Sequence, residues 1–286
     1  MGIRQSVIVL VLALVGATRF TGVASATDGL LEISTDTTLT EDHDGPISIV
    51  ADDVTLDCDG YAVSGYDSEE GVGILLKEVT GATVKNCDVS GAVFGILIDE
   101  SYDNTIKNNV ATGEFDNAFR IAGGGGNTLV GNHAEFSGSH GFELVHTSHN
   151  TLLRNTSENN HLVSENGAGF SVLEYSHANV LRDNQASQNA TGLELSTNAS
   201  DNTIIGNLFS DNEHGVLVIE NSPGNTLIKN QLTNNEGAGF LAIFFSPDTL
   251  LVGNTLCENG EADLYYADDS EPIVKSSNEI CDSGGG

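Results

Sequence analysis

Histidine and acidic side chains gather in one stretch of the sequence, where six of the eight histidines lie between positions 133 and 177. Two short segments of this stretch have a metal-ligating residue at each end: His146 with His149, and Glu174 with His177. Imidazole nitrogens together with a carboxylate can bind zinc or copper. The spacing predicts a metal site at these four residues, with solvated turn residues as the alternative.

A second group of residues could bind a sugar chain and act on it. Arg120 and Glu143 are 23 residues apart, and Glu194 follows after a further 51. If residues about one repeat apart lie over one another, the three form one row in which a carboxyl can act as acid or base. Glycosidases need two carboxyl groups roughly 5 to 9.5 Å apart. Glu143 and Glu194 are therefore the candidate catalytic residues, and Arg120, Glu143 and Tyr175 the candidate substrate-binding residues; a surface salt bridge without function is the alternative.

The elements that would position these residues repeat along the chain. Residues 202–236 state one pattern twice, 23 residues apart, and most of the other repeats follow at steps of 22 to 24. The marker of each repeat is a glycine, or Ala118 in its place, and it recurs at positions 73, 95, 118, 141, 169, 192, 215 and 239. One step is five residues longer than the usual 23, and the surplus at 158–165 predicts a loop projecting from a bend.

Apolar residues follow each marker at the first and third positions beyond it. Period two places both on one side of a strand, so they must face inward. The pattern has no sustained helical period and is rich in Gly, Asn and Thr, which form helices poorly. It predicts an all-β fold, a single-domain right-handed parallel β-helix whose coils of about 22–24 residues stack Phe119, Phe142 and Phe170 in its core.

Asparagines recur at two further places in each coil. Asparagine tolerates the left-handed backbone of tight turns, and amides in register can hydrogen-bond along a stack. We expect these side chains to be structural: Asn104, Asn127, Asn150, Asn202 and Asn225 in one set, and Asn109, Asn132, Asn155, Asn184, Asn207, Asn230 and Asn254 in the other.

The four cysteines fall in pairs on the same repeat. Cys257 and Cys281 are 24 residues apart, and Cys58 and Cys87 are 29 apart. Parallel strands lie about 4.8 Å apart, which is within the Cα separation that a disulfide accepts. We predict a disulfide in each pair; four buried thiols are the alternative.

The start of the chain has the features of an export signal. Arg4 precedes an apolar run at 7–16, and Ala-Ser-Ala ends at Ala26. This run is shorter than the roughly 20 residues that span a bilayer. We expect a signal peptide at 1–26, an N-terminal cap and first coils at 27–70, regular repeats at 71–260, and a C-terminal coil and tail at 261–286. The expected product is a secreted or periplasmic monomer without a membrane span.

The charge of the chain limits its partners. The formal net charge is −31, and a field of that sign repels nucleic acid and anionic membranes. It also opposes an acidic polysaccharide unless a divalent cation bridges the two. The sequence specifies no definite cofactor, and a divalent cation is the candidate.

Several segments resemble a known family. GILIDESYDNTIKNNVATG and GVLVIENSPGNTLIKNQLTNNE, together with VTLDCDGYAVSG and TVKNCDVSG, are similar to the NosD-type right-handed parallel β-helix repeat proteins of the pectin-lyase-like superfamily. The resemblance covers most of the chain after residue 26 and implies the fold. Its activities range over polysaccharide lyases, epimerases, hydrolases, tailspikes, adhesins and a periplasmic factor linked to copper-enzyme maturation.

A lyase of the pectate type would need an arginine or lysine base beside a calcium-binding acid. Arg154, Arg182 and Asp183 are the residues considered for that role, and with so few bases in the chain the signal is weak.

Two functions from different classes remain open, and so does whether the chain is an enzyme. The first is an exported β-helix that binds or modifies carbohydrate, such as a polysaccharide or a cell-surface glycan. The second is a non-catalytic surface, adhesive or NosD-like metal-handling scaffold.

Overall fold

The computed structural model describes residues 22–24, 29–65, 71–161 and 167–281, which form a right-handed parallel β-helix of three sheets. The predicted fold is confirmed. Each coil contributes one strand to sheet B, then one to sheet A, then one to sheet C, and every strand pairs in parallel with the coils before and after it. The described residues contain no helix, and so none that could cross a membrane.

Sheet A has twelve short strands. They are Gly22–Ala24, Thr37–Leu39, Thr55–Asp57, Thr83–Lys85, Thr105–Lys107, Thr128–Val130, Thr151–Leu153, Val180–Arg182, Thr203–Ile205, Thr226–Ile228, Leu250–Val252 and Ile273–Val274.

Sheet B has eleven strands and includes the longest ones. They are Leu31–Ile33, Ile47–Ile49, Val72–Lys77, Phe94–Asp99, Asn117–Ala122, Phe142–Val145, Ala168–Leu173, Thr191–Leu195, His214–Val218, Ala238–Ala242 and Ala262–Tyr266.

Sheet C has eleven strands as well. They are His43–Asp44, Ala62–Ser64, Asp88–Ser90, Val110–Thr112, His133–Glu135, Thr156–Glu158, Gln185–Ser187, Leu208–Ser210, Gln231–Thr233, Thr255–Cys257 and Glu279–Ile280.

The core is a set of apolar rows that run along the helix axis. Most three-residue strands bury only their central side chain, because successive side chains point to opposite faces of a strand. The rings of Phe119 and Phe142 stack with centroids 4.7 Å apart, and those of Phe142 and Phe170 stack at 4.9 Å. The predicted aromatic stack is confirmed.

Buried asparagines join the coils at the bends. Asn155 is representative: its backbone N–H donates to Asn184 Oδ1 at 2.8 Å, and its Nδ2 donates to Leu129 O at 2.9 Å and to Asn184 Oδ1 at 3.0 Å. Its own Oδ1 accepts from the backbone and the side chain of Asn132. Hydrogen bonding along the axis was predicted for two sets and is confirmed, and a third set that the prediction missed consists of Asn160, Asn189, Asn212, Asn235 and Asn259.

Glu114 occupies the place of an asparagine near the start of this third set. Its Oε2 accepts the backbone N–H of Ala92, as an asparagine Oδ1 does in later coils, whereas its buried Oε1 has no hydrogen-bond partner among the described residues. Burial raises the pKa of Glu114 to about 8, against the opposing effect of the Ala92 hydrogen bond. A neutral carboxyl therefore replaces an amide here.

Both predicted disulfides are present. Cys58 and Cys87 have Cα atoms 4.8 Å apart, and Cys257 and Cys281 have Cα atoms 5.0 Å apart, so each bond joins neighbouring coils. The described residues contain no free cysteine.

Two predicted segments lie wholly or partly outside the described residues. The signal segment at 1–26 is described only at Gly22–Ala24, which pairs with Thr37–Leu39. The predicted loop at 158–165 is described only as far as His161. These segments, and the division of the chain into cap, repeats and tail, stay predictions.

Replacing Asn155 by alanine is expected to destabilise the protein strongly. The change leaves buried groups of the adjoining coils without partners, which costs about 1–3 kcal/mol for each group. Chemical denaturation of the purified protein measures the loss. Gln231→Ala, at an exposed position of sheet C, is the control and should change the free energy of unfolding by less than about 0.5 kcal/mol. Equal losses in the two variants would contradict a special role for the buried amides.

Replacing Glu114 by glutamine is expected to remove part of the pH dependence of stability. Because the pKa of Glu114 is about 8 in the folded chain and about 4.3 in an unfolded one, the unfolded chain loses the proton first as the pH rises. Stability should therefore fall between these two pH values. Glu114→Gln should raise the melting temperature at pH 8 and leave it little changed near pH 4. Exposed Glu236→Gln controls for net charge; an equal gain in it at pH 8 would refute the prediction.

Candidate functional site

One row of side chains on the outer face of sheet B carries the predicted catalytic residues. We call it the central row. Parallel pairing places its members over one another, and its middle is polar while its ends are apolar: Leu75, Leu97, Arg120, Glu143, Ser171, Glu194, Leu217, Leu241 and Tyr265. The row points outward because the neighbours of each member along the strand face the core.

Arg120 and Glu143 are in contact, as the sequence predicted. Arg120 Nε lies 2.9 Å from Glu143 Oε2, and Asn117 Nδ2 donates to the same oxygen at 3.0 Å. The Arg120 guanidinium also lies 5.0 Å from the centre of the Phe94 ring. Glu143 is buried at 8% exposure, so this ion pair is shielded from solvent.

The ionisation of Glu143 is set by opposing influences. Burial raises the pKa of Glu143, the charge of Arg120 lowers it, and the charges of Asp116 and Glu174 raise it again. The pKa of Asp116 is itself raised by burial. Several carboxyl groups thus act on one another around a single arginine.

Glu194 lies two coils beyond Glu143 and is partly buried. Burial raises the pKa of Glu194 to about 7, with a hydrogen bond from Ser196 opposing and the charges of Glu220 and Glu143 adding to the rise. Glu220 is held in place by Thr197 Oγ1, which donates to its Oε2 at 2.7 Å. At neutral pH Glu194 is close to half protonated, the state of a group that can give or take a proton.

Ser171 separates the two glutamates in the central row. It is completely buried, and its Oγ has no hydrogen-bond partner among the described residues. Buried hydroxyls are usually partnered. A sugar hydroxyl or a water bound between the two carboxyls would satisfy it.

His140 belongs to the same face and was missed as part of this site. Its Nδ1 accepts the N–H of Ala168 at 3.0 Å, so the ring proton is assigned to Nε2. Burial and then the charge of Arg120 lower the pKa of His140 to about 4, and the ring is neutral at pH 7. The available signal was its position, because Asn117 and His140 form a row beside Arg120 and Glu143.

The predicted metal ligands lie at the bend between sheets B and A. His146 Nε2 is 2.8 Å from Glu174 Oε2, and both side chains are exposed, at 58% and 48%. Tyr175 is 63% exposed at the same bend, and its ring stacks on His146 with the centroids 6.1 Å apart. Tyr175 therefore lies beside the central row, not in it.

The predicted alignment of His149 over His177 is wrong by one residue. Ser148 pairs with His177 because the later coil has two left-handed residues, Glu174 and Tyr175, where the earlier one has His146 alone. The two imidazoles lie edge to face with centroids 6.1 Å apart.

The predicted ligands do not gather three donors at one point. Among the described residues, three donor atoms within 4.8 Å of one another occur at Cys257, Glu279 and Cys281, where the sulfurs are bonded together. The pair of His146 and Glu174 supplies two ligands, fewer than the three or four protein ligands of a typical zinc site. The metal site stays a prediction.

The residues considered for lyase chemistry lie elsewhere. Arg182 ends a strand of sheet A, and its Nε is 3.3 Å from Asp183 Oδ2. The backbone N–H of Arg154 donates to the carbonyl of Arg182. None of the three shares the outer face of sheet B with Glu143.

A separate cavity of about 440 Å³ lies where the strands of sheet C lead into sheet B. Its lining includes His161, Gln188, Asp211, Glu213 and Glu236. The sequence gave no signal for it, because its lining residues follow no motif of the repeat.

Known structures of similar fold act on polysaccharides. The periplasmic alginate epimerase AlgG aligns with a TM-score of 0.69 and 15% identity, over 93% of this chain and 78% of its own. The Azotobacter vinelandii mannuronan C-5 epimerase AlgE4 A-module gives 0.64 and 17%, over 84% and 72%. An alginate lyase from Paenibacillus sp. str. FPU-7 gives 0.62 and 10%, over 88% and 99%. At these identities the likeness concerns the fold.

Sequence comparison identifies the family. A search of curated protein sequences found no match. Residues 47–239 and 157–275 match the sequence model of the family described as periplasmic copper-binding protein (NosD), and together they cover most of the chain. The chain therefore belongs to the NosD family of parallel β-helix proteins.

Proposed function

We propose that the chain binds carbohydrate on the outer face of sheet B and acts on it with Glu143 and Glu194 as an acid and base pair. The observation that carries the proposal is the central row itself. It places two shielded carboxyl groups of raised pKa two coils apart, with an arginine on one and an unpartnered hydroxyl between them.

The two glutamates differ in a way that suits acid and base roles. Arg120 favours the charged form of Glu143, whereas Glu220 and Glu143 both favour the neutral form of Glu194. Glu194 would donate a proton to a leaving oxygen, and Glu143 would accept one. Two coil steps of about 4.8 Å separate their backbones, a spacing near that of inverting glycosidases, where water occupies the gap.

The comparisons and the cysteines support the setting of this activity. The solved relatives by fold are described as enzymes of alginate. Disulfides persist outside the cytosol, and the family is described as periplasmic. We infer that the chain is exported and works on a polysaccharide or a cell-surface glycan.

Replacing Glu194 by glutamine is expected to lower turnover by about 10²–10⁴-fold, because the acid group is lost. The substrate is first found by a glycan array and a product screen on the purified protein, and kcat is then measured on the best sugar. The parent protein should lose activity as the pH rises through about 7, and Glu194→Gln should lack that decline. Exposed Glu236→Gln is the control. An unchanged rate and pH profile in Glu194→Gln would refute the assignment.

A second candidate, metal handling, is favoured by the contact of His146 with Glu174 and by the family description. Calorimetric titration with zinc or copper is expected to show binding that His146→Ala weakens about tenfold or more, as loss of one ligand would. His133→Ala is a matched control, because His133 faces Glu135 at 3.7 Å on sheet C. No binding, or equal effects of the two substitutions, would exclude this candidate.

A further inference from the structure

The outer face of sheet B holds its positive charges in ion pairs. Among the described residues this face has two basic side chains, and each contacts a carboxylate: Lys77 Nζ lies 3.2 Å from Asp99 Oδ2, and Arg120 Nε lies 2.9 Å from Glu143 Oε2. Neither charge is available to a ligand without breaking its ion pair.

Negative charge surrounds the middle of the face. The charges of Asp116 and Glu174 act on Glu143, and those of Glu220 and Glu143 act on Glu194. A sugar carboxylate bound here would join groups that already repel one another at short range. Elimination or epimerisation of a uronate needs still more, because removing the proton beside the carboxylate places a second negative charge on the sugar. Such chemistry requires a cation aimed at that carboxylate.

We propose that the polysaccharide taken by this face is neutral and that its glycosidic bond is hydrolysed. This inference rests on the proposed function. Water attacks the anomeric carbon as the bond from that carbon to the leaving oxygen breaks. Glu194 gives its proton to the leaving oxygen and Glu143 takes one from the water, so the number of protons is conserved.

The apolar end of the face gives the sugar chain a direction. In the central row Glu194 is followed by Leu217, Leu241 and Tyr265, in successive coils. Exposed aromatic rings border this end at Phe244, Phe245 and Tyr266. Three coil steps of about 4.8 Å carry the chain from Glu194 to Tyr265, roughly 14 Å away. Neutral sugar rings have apolar C–H faces that pack on such a surface, and the surface is continuous with the carboxyl pair.

The test compares neutral oligosaccharides with oligouronates, from dimers to octamers, on the full purified chain. Neutral chains should bind at least about tenfold more tightly and release reducing ends, without the ultraviolet absorbance of an unsaturated uronate. Tyr265→Ala should weaken binding of the longest neutral chains about three- to tenfold and leave dimers unaffected. Tyr102→Ala is the matched control, since Tyr102 is 49% exposed and Tyr265 44%, and Tyr102 lies at a distant bend.

Each contrary outcome has a distinct meaning. Oligouronates cleaved in a Glu194-dependent way would overturn the neutral substrate and leave the proposed function standing. A chain that binds neither class would refute both. A dimer in sedimentation that Tyr265→Ala converts to monomers would overturn the sugar assignment of the apolar end, because that end would then join two copies.

Discussion

The buried asparagine amides at the bends are the interaction on which the rest of this structure depends. Each accepts from the coil before and donates to the coil after, so a coil can sit in only one register on its neighbour. A slip by one residue would turn every strand inside out and leave these groups without partners. Apolar packing supplies the attraction between coils, and the amides select where it is satisfied.

Fixed register also concentrates chemistry. A repeat protein places side chains of equivalent positions about 4.8 Å apart, so polar residues in successive repeats become a site without any loop to carry them. The raised pKa of Glu194 has this origin, because burial in the row and the carboxylates of adjacent coils both disfavour its charge. The same stacking makes the remainder of the row apolar and joins it to the polar centre.

One extra residue shows how sensitive such a site is. Tyr175 lengthens a bend, moves His177 opposite Ser148, and separates imidazoles that a constant period would have aligned. His146 and Glu174 still meet, because they lie before the insertion takes effect. The sheets on either side keep their register.

The sequence by itself determined the fold, the disulfide pairs, the aromatic stack and the contact of Arg120 with Glu143, because each follows from a period that maps chain separation onto spatial separation. It did not reveal the third asparagine set, the neutral Glu114 or the role of His140. Tertiary structure alone decided these, and also which carboxyls are shielded and which exposed. The physical reason is that burial and pKa depend on the side chains of several coils together, whereas a period states only which positions are neighbours.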